Sequence, residues 1–318
     1  QYVDGAPITD SNLIGEELYK SGETVKTYHG PEFRLAARYT LDNRSSVKAG
    51  FNTMRQNIHL LSNTSSISPT DSWKLSDSYI KPQTGGQGSV GYYRNLAKNQ
   101  LEFSTEVYYR YMTNLLDYRS GANIILNENI EQDVLNSKGK AYGVEVLLKK
   151  STGSLKGSLA YTYSRSLMKT SDEPSIEKIN DGNFYSSNFD QPHHLVVFAN
   201  YELSKRVNTT LNVNYSTGRP VTLPISKFDY AGSERVYFSD RNAYRIPDYF
   251  RMDFSVNIEG SHKIKKLAHS SWSLGVYNLL GRSNPYSVYY TPVGGQLKGY
   301  QLSIFARPIP FVTYNFRF

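Results

Sequence analysis

The sequence contains no cysteine, which excludes a disulfide framework and thiolate metal sites. Tryptophan is nearly absent, at 2 residues, whereas tyrosine reaches 27. No run approaches the ~18–20 consecutive apolar residues of a membrane-spanning helix, and mean hydropathy is −0.52. A transmembrane barrel escapes that exclusion, because its strands need only ~9–11 residues and every second one can be polar. Acidic residues are the minority: 28 Asp and Glu against 36 Lys and Arg leave a net charge of +8. The two signs interleave, without a finger, RNP-like or basic-helix pattern, so nucleic acid is not an expected partner. The start, Gln1-Tyr-Val-Asp-Gly, lacks the basic end and apolar core of a signal peptide and reads as part of something longer.

Catalytic chemistry is equally thin. No Gly-rich loop follows a strand and opens a helix, so a nucleotide site is unsupported. The 6 histidines are scattered. His193 and His194 are adjacent in an extended segment, so they point to opposite faces and make a poor metal pair. Glu102 and Glu106 fall on one face of a strand, about 13 Å apart, beyond the ~5–9.5 Å of a glycosidase pair. No catalytic residue, metal or cofactor is expected.

What is present is alternation with a period of two. Phe33, Leu35, Ala37, Tyr39 and Leu41 alternate with Arg34, Ala36, Arg38 and Thr40. Leu101 to Tyr111 alternates with a row containing Glu102, Glu106 and Arg110, and Phe250 to Ile258 with Arg251, Asp253, Ser255 and Asn257. The same pattern around Glu145 places Tyr142, Val144 and Val146 opposite it. One apolar and one strongly polar face per strand is the result. Eleven strands are expected: 32–41, 46–58, 86–95, 101–118, 138–150, 155–167, 191–203, 208–217, 248–259, 271–281 and 308–318.

The connections alternate as well. Short polar turns, such as those holding Arg44, Lys98 and Lys205, are separated by long segments at 59–85, 119–137, 168–190, 218–247 and 282–307. Loops that long are unusual in compact soluble domains, and short turns at one end with long loops at the other is the plan of an outer-membrane barrel. The expected fold is all-β: a transmembrane antiparallel β-barrel. Even-numbered barrels keep both termini periplasmic, so an odd count beginning outside reads as half a barrel. Residues 1–31 are then the remainder of an extracellular loop and 32–318 the barrel half.

Several stretches resemble the C-terminal half of a TonB-dependent outer-membrane receptor of the Bacteroidetes type. They include Lys140-Ala-Tyr-Gly-Val-Glu-Val-Leu-Leu-Lys-Lys150, Asp190-Gln-Pro-His-His-Leu195, Ser216-Thr-Gly-Arg-Pro220, Arg241-Asn-Ala-Tyr-Arg-Ile-Pro-Asp-Tyr-Phe-Arg-Met-Asp253, and Tyr277-Asn-Leu-Leu-Gly-Arg-Ser-Asn-Pro-Tyr286. The resemblance implies strands 12 to 22 of a 22-stranded barrel whose plug and N-terminal strands lie elsewhere. It implies energy-coupled nutrient import, with TonB, ExbB and ExbD reached through the missing half, outer-membrane lipid around the wall, and a surface lipoprotein lid as a further partner. Phe316 and Phe318 close a strand similar to the family's barrel-assembly signal. Arg34, Arg38, Glu102, Glu106, Arg110, Glu145, Arg165, Arg251 and Asp253 are expected to face the lumen or plug. Trp73, Tyr185 and Tyr244 are the expected contacts to ligand or capping partner. A passive pore or adhesin barrel without energy coupling shares the strand pattern and is the alternative.

Overall fold

The computed structural model describes residues 11, 16, 18–61, 72–120, 122, 127, 130–170, 177–230, 232–260, 269–293, 296–304 and 306–317. Eleven strands form one antiparallel sheet in sequence order: β1 (Arg34–Asp42), β2 (Ser45–Gln56), β3 (Gln83–Leu96), β4 (Leu101–Tyr118), β5 (Val134–Lys150), β6 (Leu155–Thr170), β7 (His193–Ser204), β8 (Val207–Ser216), β9 (Tyr249–Glu259), β10 (His269–Tyr277) and β11 (Ile309–Arg317). Each pairs with its neighbours along this path, β6 pairs in addition with the two-residue strand Tyr185–Ser186, and β1 and β11 are the two edges of the path. The sheet is part of a barrel wall.

The register separates two faces. Val90 lies opposite Val107, Val107 opposite Val144, and Val144 opposite Tyr163. Leu211 lies opposite both Ala199 and Phe254, and Phe254 opposite Val276. These apolar rows form the outward face. Lower on that face Trp272 packs on Tyr314 at 4.6 Å between ring centroids, and Tyr92 on Phe103 at 6.5 Å. Higher up, Tyr109, Tyr142, Tyr163, Tyr215 and Phe250 continue the same rows. On β5 the outward row runs from Lys150 through Leu148, Val146, Val144 and Tyr142 to Lys140. The ten residue steps from 150 to 140, at about 3.3 Å each and a tilt of about 40°, rise about 25 Å, the height of an outer-membrane barrel's apolar band.

The inward face is polar, with exceptions such as Leu147 and Phe198. Gly143 belongs to it, where a Cβ would come within 2.4 Å of the Tyr163 carbonyl oxygen and 3.0 Å of the Tyr108 ring. The glycine lets Tyr108 lie across β5. With a polar inner wall there is no central apolar core. The one buried apolar cluster among the described residues is small, Leu135, Ile179 and Tyr185 with Met168 against it, and it sits at the ends of β5 and β6 that lead into the long connections.

The long segments are more ordered than their composition predicts. Ile58–Leu61 pairs with Ser72–Leu75, Pro224–Tyr230 with Ser233–Phe238, and Pro285–Val293 with Gln296–Ser303. Each is a hairpin raised on the ends of barrel strands. The first has only four residues a strand, the second mixes polar and apolar side chains on both faces, and the third is interrupted by Pro292 and Gly299, which hides them from a hydrophobic period. Strand β10 stops at Tyr277, short of the expected 281, because Asn278 takes a positive φ of 52° and starts a turn closed by Gly281.

Candidate site among the outer loops

Two acid–arginine clusters tie the long connections together. In the first, Asp117 at the top of β4 accepts hydrogen bonds from Arg241 and from the Tyr185 hydroxyl. Arg241 also donates to the Tyr118 carbonyl at 2.8 Å, and its backbone exchanges bonds of 2.8 and 3.0 Å with the Asn180 side chain. Burial, and next the negative charge of Asp117, push the Tyr185 phenol far above its ordinary pKa, so it remains a donor. In the second cluster the Asp190 carboxylate is wholly buried between Arg165 and Arg245. It also accepts the Ser166 backbone N–H at 2.7 Å, and Arg245 continues to the Gly218 carbonyl at 2.9 Å. Gly218 is required by close approach: a Cβ there would lie 1.7 Å from the Ile246 carbonyl oxygen.

A cavity of about 720 Å³ opens beside the first cluster, bounded by Asp117, Lys178, Arg219, Tyr237, Phe238 and Arg241. A second, of about 400 Å³, lies below it against Tyr249, Arg251, Asn278, Asn284 and Tyr286. Arg219 and Ile246 line both. Cations, carboxylates, amides and tyrosines meet there, a lining suited to hydrogen bonding and ring stacking.

The residues singled out in the sequence divide into groups. Arg34 pairs in register with Asn52, Asn52 with Gln87, and Gln87 with Arg110; Arg110 Nε bonds Gln87 Oε1 at 2.8 Å. Arg38 lies opposite Lys48 in the row that reaches Glu106 and Glu145, which face each other across β4 and β5. Glu102 is 3.7 Å from Lys149, and Arg251 Nε is 2.8 Å from Asp253. All of these share the inward face. Arg165 does not. It lies opposite Tyr142 in the outward row, because the period that puts Tyr161 and Tyr163 outward carries it along. Its place at the strand's upper end lets it turn to Asp190.

Of the three aromatics, Trp73 is 65% exposed on its hairpin and Tyr244 is 48% exposed. Tyr185 is 6% exposed, with its ring in the small apolar cluster and its hydroxyl on Asp117, so it offers no stacking face. Phe316 stacks on Tyr314 at 6.2 Å, and Phe318 lies outside the described residues. Asp117, Asp190, Arg241 and Arg245 were not identified as site residues from sequence. Three of them stand inside the family-like stretches, which was the available signal.

A pH-sensitive contact supports the first hairpin. His59 is buried, with Nε2 2.9 Å from Ser76 Oγ and Nδ1 3.3 Å from Gln83 Nε2. Burial lowers its pKa below the ordinary 6.5, although nearby Asp77 works in the opposite direction. The folded hairpin therefore binds a proton less readily than the open one. Its stability is complete above pH 6.5 and falls as pH drops through the lowered value. Hydrogen exchange of residues 58–61 and 72–75 should accelerate in that acid window, and His59→Gln should flatten the dependence. An equal pH response in the variant would assign it to other groups.

The family described as TonB dependent receptor-like, beta-barrel matches residues 11–279. No curated protein matches the chain. Among solved structures, the ferric-catecholate import receptor Fiu from K12 E. coli superposes with a TM-score of 0.54 at 13% identity, covering 89% of this chain and 34% of that one. The ferripyoverdine receptor of the Pseudomonas aeruginosa outer membrane, bound to ferripyoverdine, gives 0.52 at 14% identity, covering 89% and 32%. At such identities the likeness is one of fold, and the chain spans about a third of the length of these receptors. Together with the two-faced wall and the match over most of the sequence, it establishes that this chain belongs to the TonB-dependent receptor β-barrel family, integral to the outer membrane.

Proposed function

We propose that residues 32–318 are the C-terminal half of the barrel, strands 12 to 22 of 22, in a Bacteroidetes-type receptor that imports a nutrient by TonB-dependent uptake. Residues 1–31 then continue an extracellular loop. The plug and the other strands come from the rest of the barrel, which also carries the contact to TonB, ExbB and ExbD. The observation that carries the reading is the coexistence of a charged inner wall with a bridged loop assembly holding cavities above it. A wall bearing Arg34, Arg38, Glu106, Arg110, Glu145, Arg251 and Asp253 suits a polar plug that must be held yet displaced. Trp73 and Tyr244 are the exposed rings proposed to touch cargo or a lipoprotein lid. Iron chelates, as named for the two neighbours above, are one cargo class to test alongside glycans and peptides.

The full-length protein should bind its cargo at the cell surface whether or not the cell is energised, and import it only when energised. Collapse of the proton-motive force should abolish uptake and leave binding intact, whereas Trp73→Ala with Tyr244→Ala should weaken binding itself. Uptake that continues in de-energised cells would replace this reading with the passive pore.

A further inference from the structure

Resting on the reading of this chain as part of an importer, we propose that Arg219 is the barrier cargo displaces between the upper cavity and the inner wall. It adds a route and a selecting residue to that reading.

Three chain segments cross the boundary between the two cavities. Gly218 lines the lower cavity, Pro220 the upper, and Arg219 both. Pro247 lines the lower cavity and Ile246 both; Tyr286 lines the lower and Ser287 the upper. The first two segments are locked together. The Ile246 N–H donates to the Arg219 carbonyl at 3.0 Å, the Gly218 N–H to Asp248 Oδ1 at 2.9 Å, and Arg245 to the Gly218 carbonyl at 2.9 Å. The third segment is joined to them by a side chain, the Arg219 guanidinium, which donates to the Tyr286 carbonyl. A β-branched isoleucine on a fixed backbone has little freedom, whereas an arginine side chain has many rotamers. The part of the boundary able to yield is therefore Arg219 against Tyr286. Just before Tyr286 the chain is pinned to the wall, because Asn284 exchanges two bonds of 2.9 Å with the Phe250 backbone. Release of Arg219 widens the passage and leaves that anchor intact.

The surfaces on either side suit passage. Tyr237 and Phe238, both exposed, line the upper cavity, and Tyr249 and Tyr286 line the lower. Next to them on the inner wall, Tyr277 stacks on Phe311 with 4.4 Å between ring centroids, and the Arg251 guanidinium lies 5.4 Å from the Tyr277 ring. Phe311 is inward because it lies opposite Gly275, which lies opposite Ser255; Tyr277 is two positions from Gly275 on the same face. Ring faces thus accompany the whole route, which fits a polar, ring-bearing solute. The step from about 720 to about 400 Å³ at Arg219 makes the boundary selective for size.

The test uses the full-length receptor on whole cells, with any cysteine elsewhere in it replaced, since these 318 residues contain none. The probe is fluorescein maleimide, which is polar, ring-bearing and excluded by the membrane. Ser120→Cys reports on the upper cavity and Ser216→Cys on the lower. Labelling should be fast at Ser120→Cys and slow at Ser216→Cys. Adding Arg219→Ala should speed the second at least about tenfold, as expected when a charged donor loses its hydrogen bond, and leave the first unchanged. Arg219→Lys, which keeps a long cationic donor, should stay nearer to wild type. Equal labelling of Ser216→Cys with and without Arg219 would overturn the proposal. So would a parallel rise at Ser120→Cys, which indicates general loosening of the loops. Labelling needs no energised membrane, so failure of this barrier and failure of energy-coupled import are read separately.

Discussion

Replacing Asp190 by Ala should loosen the outer loops more than any other single change in them. The carboxylate is wholly buried and receives Arg165, Arg245 and the Ser166 N–H. Its removal leaves two guanidinium groups facing one another across an empty position. Breaking a fully buried pair costs about 3–5 kcal/mol. Here the arginine side chains are 30% and 28% exposed, and water relieves part of that, so about 2–4 kcal/mol is expected. The effect should be local, because barrel pairing below does not depend on it. Amide exchange across 180–190 and 240–247 should therefore speed up by a factor of about thirty or more, with little change in β8 to β11. Asp190→Asn, which keeps the shape and loses the charge, should fall between. Exchange rates in Asp190→Ala equal to wild type would mean that the cluster does not hold the loops.

That cluster explains what kind of recognition surface the chain presents. Arg241 and Arg245 belong to one short segment, yet they anchor to Asp117 on β4 and to Asp190 before β7. Three connections are thereby fixed to each other around the 720 Å³ cavity. A site held in this way loses little freedom when it binds, which favours affinity over adaptability. Substitutions at Asp117 and Asp190 share the Arg241–Arg245 segment, so their effects should not be additive.

How far the sequence reveals this depends on the range of the interaction. The eleven wall strands are legible because each repeats a local period of two, and 101–118 coincides with Leu101–Tyr118. Inner-face residues such as Arg38, Glu106 and Arg251 follow from the same period. Arg165 was misassigned by its charge, against a period that already put Tyr161 and Tyr163 outward. Tyr185 was misread because nothing near it in sequence announces burial; its partner Asp117 is 68 residues away, and Arg241 is 124 from the same carboxylate. Long-range polar pairs leave no local pattern, so the loop assembly emerges only when the strands bring their ends together.

The register of the wall should decide the fate of a charge at its midpoint. Phe254 stands midway along β9, outward, opposite Leu211 on one side and Val276 on the other. Phe254→Arg puts a guanidinium into hydrocarbon near the midplane, at a cost of about 2–4 kcal/mol. The adjacent Ser255 lies opposite Thr210 and Gly275 on the polar inner face. Ser255→Arg should cost much less, because water and polar neighbours receive the charge. The comparison is sharp because a shift of one residue exchanges the two faces completely. In the full-length protein, urea unfolding in lipid vesicles should place Phe254→Arg well below wild type and Ser255→Arg close to it. The reverse order would show that β9 carries its polar row against lipid, and the two-faced wall derived from the pairing would have to be abandoned.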